Sequence, residues 1–175
     1  TYAAMHANVD IYDTNTLAKF ASRVELDITD QSLVVDGVDA TAIIRSPEVT
    51  TSVSIVAANS GVRTEMRAQQ RLWVEERGGG VVEGRDIATV VFPDAILKVF
   101  LTASPRVRAA RRVAQSGGDI DEIAEQIAKR DKIDSSREDS PLREHSDSLV
   151  VDTSELTIEE VVDSIHVAYK ARLQQ

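Results

Sequence analysis

The sequence contains no cysteine, which excludes a disulfide framework and any thiolate metal centre. Its three histidines, His6, His145 and His166, are too dispersed to form a zinc cluster, so the chemistry available runs on oxygen and guanidinium groups. Positive charge is in deficit, with 20 Lys and Arg against 29 Asp and Glu and a formal net charge of −9. That balance argues against a general nucleic-acid surface, although it leaves open what a local basic pocket binds. No apolar run reaches the roughly 20 residues that span a bilayer, and the N-terminus lacks a charged-then-apolar signal pattern. The expectation is a cytoplasmic protein with no membrane and no nucleic-acid partner. At 175 residues the chain suits one domain with a real core. It opens on "TYAAMHANVD", where Tyr2, Met5 and Val9 have the spacing of the last turns of a helix, as if read from the middle of something.

What is present divides into short, strongly patterned segments. Asn15 or Thr16 can cap a helix whose apolar face is Leu17, Phe20 and Val24. "VELDITDQSLVVDGVDATAII" alternates apolar and polar residues around a strong Asp36-Gly37 turn, which predicts a small antiparallel ribbon. Ser46-Pro47 starts a helix through Ala57, and Asn59-Ser60-Gly61 breaks it. A second helix runs from about Val62 to Glu76, with Arg63, Arg67 and Arg71 on one face. After the Gly78-Gly79-Gly80 linker, "GVVEGRD" reads as a buried parallel strand anchored by Val81 and Val82, and "LKVFLTAS" as another. Ser104-Pro105 caps an arginine-rich helix ended by Gly117-Gly118, and Ile120 to Ile127 forms the next. A polar stretch, "KRDKIDSSREDSPLREHSD", precedes a third buried strand, "SLVVDTS". A closing helix carries Ile158, Val161, Val162 and Ile165. Buried strands alternating with helices predict an α/β sandwich with a mostly parallel sheet, whose ligands bind at the carboxyl ends of the strands. Arg85 and Asp86 are expected at one such end.

Three groups of side chains could carry chemistry: Arg63 with its helix neighbours, the Arg85-Asp86 pair, and Arg130, Asp134 and Arg137. If their segment is helical, the last three share one face with two cations flanking an anion, which suits a phosphate and a hydroxyl held together. Each group also has a plainer reading. Arg67 and Arg71 fit a solvated helix face, and Arg85-Asp86 fits an ion pair that fixes its loop as well as it fits a ligand contact.

Four stretches in order, "IRSPEV", "VVEGRDIATVVFPDAILKVFLTAS", "KRDKIDSSREDSPL" and "LVVDTSELTIEEVV", resemble bacterial cytidylate kinase, of the nucleoside monophosphate kinase group. The resemblance covers nearly the whole chain. It implies a P-loop-kinase-like three-layer α/β sandwich forming a single domain over residues 1–175. It further implies an enlarged monophosphate-binding α+β insert at about 26–61 and a small lid at about 130–146. The activity implied is transfer of the terminal phosphoryl of ATP to CMP or dCMP with Mg2+, by a monomer. By the same resemblance Ser54, Arg63 and Asp86 read the cytosine, Arg85 faces the phosphate, and Arg130, Asp134 and Arg137 supply lid contacts to ribose and phosphate. Arg130 and Arg137 would be the catalytic cations. Cytosine chemistry agrees, since its 4-amino group donates where uracil has an acceptor.

The departures are as informative. No G-x-x-x-x-G-K-[ST] phosphate loop occurs in these residues, and "TYAAMHANVD" aligns just beyond the family's copy. The residues here are therefore expected to hold no ATP or metal site of their own, and by themselves to be inactive. A non-catalytic CMP-binding or scaffolding domain is the alternative. A kinase for AMP or UMP keeps the class and changes the base, against which Ser54, Arg63 and Asp86 speak. Ala88 stands where the family usually has glycine, and Ile133 where an arginine is common.

Overall fold

The computed structural model describes residues 1–29, 31–136, 139 and 141–174. They form two compact units, Thr1–Gly80 and Val81–Gln175.

The first unit begins with α1 (Tyr2–His6) and α2 (Thr14–Ala21). Asp13, two residues before the expected cap, closes α2: one carboxylate oxygen accepts from the Asn15 and Thr16 amides, both at 3.1 Å, and the other from the Thr16 hydroxyl at 2.6 Å. A carboxylate is the stronger acceptor for amides at the positive end of a helix, so it wins the position over Asn15 and Thr16. The predicted ribbon is β1 (Leu26–Ile28), β2 (Leu33–Val35) and β3 (Val38–Asp39), antiparallel in that order. Val35 pairs with Val38 across Asp36 and Gly37, whose φ values of 48° and 79° are those of a two-residue hairpin turn matched to strand twist.

Ser46 caps α3 (Pro47–Ala57) with proline at its first position, as the sequence predicts. Asn59-Ser60-Gly61 does more than break the chain. Asn59 caps α4 (Ser60–Glu76) through the Val62 amide at 3.1 Å, and its side-chain amide donates to the Thr14 carbonyl at 2.9 Å. One buried side chain thus caps α4 and ties its start to the start of α2. Gly61 lies so close to α2 that a Cβ there would fall 2.4 Å from Ala18 Cβ. Ala4, Leu17, Ala21, Val56 and Val62 form the core beneath, with Phe20 and Met66 packed on it. At the far end of α4, Arg77 stacks 4.3 Å over the Trp73 ring and donates to the Ile28 carbonyl, tying ribbon to helix.

The second unit is built on a parallel pair, β4 (Val99–Thr102) and β5 (Leu149–Asp152), in register from Val99↔Leu149 to Thr102↔Asp152. Helices α5 (Pro105–Ser116), α6 (Ile120–Ser136) and α7 (Ile158–Arg172) accompany it, so the chain is α/β with a parallel sheet. Ser104 caps α5, and Thr157 and Glu160 form a reciprocal capping box on α7.

Two expectations for this unit are corrected. Residues 80–86 form no strand: Val81 is fully exposed, so it cannot be an anchor, and Arg85 and Asp86 do not follow a strand end. The Asp86 carbonyl instead gathers the Thr89, Val90 and Val91 amides at 3.3, 2.9 and 3.3 Å, and Phe92 bonds to Ile87, making a turn of π-helix over Ile87–Val91. A backbone with no neighbouring strand must satisfy its polar groups locally, and β-branched residues do not prevent that. Secondly, α6 does not stop near Ile127 but continues to Ser136, carrying the first part of the expected lid as helix. On α7, Ile158 and Val162 are exposed.

Candidate functional site

In the second unit, α6 brings Arg130 and Asp134 one helical turn apart, as the i, i+4 spacing requires. Asp134 is 1% exposed, and its Oδ2 lies 3.7 Å from Arg130 Nε and 3.2 Å from Arg85 Nε. Arg85 therefore belongs to the cluster that sequence spacing assigned to Arg130, Asp134 and Arg137. Arg137, the third member expected, falls outside the described residues.

Two residues not singled out complete the arrangement. Asp131, one position after Arg130, accepts from Arg85 Nη1 on one oxygen at 3.1 Å and from Arg108 Nη1 on the other at 2.5 Å. Arg108, on α5, also donates through Nε to the Ala103 carbonyl at 3.1 Å, immediately beyond β4. Three guanidiniums thus share two carboxylates, leaving a net positive cluster. The helical grouping at i, i+4 and i+7 could not reveal Asp131, which projects about 100° round the helix from Arg130; only the tertiary placement of Arg85 and Arg108 does.

This cluster edges a cleft of about 480 Å³ lined by Arg85, Ala88, Phe100, Thr102, Arg108 and Arg143, among others. Planar guanidiniums beside a partly apolar wall suit an anionic ligand with a hydrophobic part, and the forked donors fit phosphate oxygens. Gly84 lets the Ile87 side chain fold back beside Arg85: a Cβ there would meet Ile87 Cγ1 at 2.8 Å. Ala88 sits within the π-helical turn and is not one of the positive-φ residues, so its backbone has no need of the glycine usual in the family. Asp86 is half-buried, its carbonyl committed to that turn. Ile133, on α6, is exposed.

The remaining predicted residues belong to the first unit. Ser54 lies on α3, half-buried. Arg63 lies on α4, half-buried, and donates through Nη1 to the Ala57 carbonyl at the end of α3 at 3.3 Å. A second cleft of about 450 Å³, near the starts of α2 and α4, includes neither residue in its lining.

Among the described residues no group of three or more His, Asp or Glu side chains is placed to hold a metal ion, and no helix is long and apolar enough to cross a membrane. The sequence itself finds counterparts in known proteins. The family model described as Cytidylate kinase matches residues 1–171. A cytidylate kinase of Bacillus subtilis (strain 168) is 44% identical over 175 residues, spanning 94% of this chain and 77% of the relative. That of Streptomyces avermitilis is 44% identical over 171 residues, with 94% and 74% covered. That of Bacillus thuringiensis (strain Al Hakam) is 43% identical over 175 residues, with 94% and 77% covered. With the match extending in order through every segment that builds the cluster, the chain belongs to the cytidylate kinase family.

Proposed function

We propose that the intact protein transfers the terminal phosphoryl group of ATP to the 5′-phosphate of CMP and dCMP. The match to the cytidylate kinase family over residues 1–171 carries this reading. The arginine cluster supports it, because phosphoryl transfer asks a protein mainly for positioning and for charge stabilisation on non-bridging oxygens.

The roles follow residue by residue. Asp86 accepts from the cytosine 4-amino group, and Arg63 and Ser54 donate to its ring acceptors. Arg85 takes the 5′-phosphate, Asp134 the ribose hydroxyl, and Arg130 with Arg137 the charge that develops on the transferred phosphoryl. Residues 26–61 serve as the monophosphate-binding insert and 130–146 as the lid, whose closure excludes water, and residues 1–175 work as one kinase domain.

Magnesium-ATP belongs to the same proposal for the intact protein. The described residues do not fit a magnesium site, since Asp131 and Asp134 are already engaged by arginines. Nor do these 175 residues contain a G-x-x-x-x-G-K-[ST] cradle for the triphosphate. By themselves they are therefore inactive.

A phosphoryl-transfer assay tests the reading. With ATP and magnesium, the intact protein turns over CMP and dCMP and is far slower with UMP and AMP, whereas residues 1–175 alone show no turnover. Equal rates with CMP and UMP would contradict the base assignment. Tight CMP binding without any transfer by the intact protein would favour a non-catalytic CMP-binding domain.

A further inference from the structure

Asp131 bridges two arginines that arrive from different parts of the second unit. Arg85 sits in a segment with no strand pairing, just before the π-helical turn, whereas Arg108 sits on α5 and is anchored by its own Nε to the Ala103 carbonyl. Each Asp131 oxygen takes one of them, Arg85 at 3.1 Å and Arg108 at 2.5 Å. Asp134 meanwhile lies 3.2 Å from Arg85 Nε. Two carboxylates thus occupy two corners of the Arg85 guanidinium, Nε and Nη1, and among the described residues Nη2 makes no such contact. Asp131 is one-quarter exposed at the cleft, unlike the buried Asp134, so its place is at the cleft wall.

We propose that Asp131 is a positioning residue for Arg85: backed by Arg108 and through it by the end of β4, its carboxylate fixes the rotation of the Arg85 guanidinium and so the direction in which Nη2 is offered to the nucleotide phosphate. A planar fork hydrogen-bonded to Asp131 through Nη1, with the Asp134 charge 3.2 Å from its Nε, loses freedom that it would otherwise give up on binding. In this role Arg108, which also lines the cleft, acts through Asp131. The inference rests on the reading of Arg85 as the phosphate contact.

The test is a double-mutant cycle on the intact protein, with steady-state kinetics for CMP and UMP. Asp131→Asn keeps the shape but places an amide donor against a guanidinium. It is expected to lower kcat/KM by about tenfold to a hundredfold, the scale of a misplaced reacting group. CMP and UMP should fall in proportion, with KM for ATP unchanged. In an Arg85→Ala background the same substitution should have no further effect. Arg108→Lys, which retains charge but not the fork, should reproduce the loss more weakly, and Asp131→Glu should restore part of it. Unchanged thermal transitions would separate positioning from misfolding, and if Asp131→Asn proves unstable, Arg108→Lys carries the same cycle. A slow Arg85→Ala combined with a normal Asp131→Asn, or losses that add in the double variant, would overturn the positioning role alone. A normal Arg85→Ala would overturn the phosphate reading and this inference with it.

Discussion

Gly61 shows how one residue sets the distance between two helices. No positive φ requires glycine there; the α2 backbone does, because an added Cβ would meet the Ala18 methyl at 2.4 Å and neither group can rotate away. Gly61→Ala should therefore destabilise the protein by about 1–3 kcal/mol through overpacking. Chemical denaturation would show this as a lower midpoint at an unchanged slope, and an unchanged midpoint would mean that α2 and α4 separate freely. A second residue-scale prediction concerns Asp147. A hydrogen bond from the buried Lys98, at 2.8 Å, is the main influence holding its carboxyl below the ordinary aspartate range, with His145 beside it adding to the effect. A carboxyl depressed in the folded state stabilises the protein above its unfolded value, and that contribution is lost as pH falls through the folded value. Acid titration of unfolding should show wild type losing more stability than Asp147→Asn over this range. Asp147→Asn should also be the less stable at neutral pH, where Lys98 stays buried without its counterion. Parallel titration curves would contradict the pairing.

At the scale of elements, local chemistry made some boundaries legible. Ser46-Pro47, Ser104-Pro105 and Asp36-Gly37 mark caps and a turn whose geometry is decided within a few residues, and the structure has each in place. Thr157 belongs to the same class: its hydroxyl accepts from the Glu160 amide at 3.2 Å while the Glu160 carboxylate accepts from the Thr157 amide at 2.8 Å. Thr157→Ala should cost about 1 kcal/mol of stability, read as a lower denaturation midpoint with faster amide exchange in the first turn of α7. Exchange unchanged there would mean that packing, not the cap, holds the helix end. Where sequence pattern fails, the deciding partner is distant. "GVVEGRD" has the composition of a buried strand, but a strand exists only with a neighbouring strand to pair with its backbone, and the backbone hydrogen bonds described for this segment are those that the Asp86 carbonyl accepts from the residues following it. "KRDKIDSS" looks like a polar loop because apolar periodicity fades after Ile127, yet in α6 the buried position is filled by Asp134. A charged residue in a core position is invisible to hydrophobic patterning; arginines from elsewhere in the chain make it tolerable. For the same reason the sequence gives no sign that Arg85 is ion-paired to Asp131 and Asp134 on α6.

At the scale of the whole molecule, the chain divides at its glycine run. Gly78, Gly79 and Gly80 are exposed and Val81 is fully exposed, between units that end and begin there. Exposed small-residue segments are the preferred sites of nicking, so brief thermolysin treatment should cut first before Val81 and release fragments matching Thr1–Gly80 and Val81–Gln175. First cuts within α4 or α6 would contradict this division. The second unit also exposes apolar surface: Leu101 and Val150 on its two-stranded sheet, and Ile158, Val162 and Val167 on α7.

In the proposed function neighbouring residues divide the labour of recognition, Asp86 taking the base and Arg85, in the arginine cluster, the phosphate. The most direct measurement is kcat/KM for CMP and for UMP in the intact protein, in wild type, Asp86→Ala and Arg85→Ala. Asp86→Ala should collapse the preference for CMP over UMP by about tenfold to a hundredfold, corresponding to about 1.5–3 kcal/mol for one hydrogen bond to a charged group. Arg85→Ala should slow both substrates alike and leave their ratio intact, because phosphate carries no base identity. An unchanged ratio in Asp86→Ala, or a ratio that shifts more than the rate in Arg85→Ala, would contradict the account.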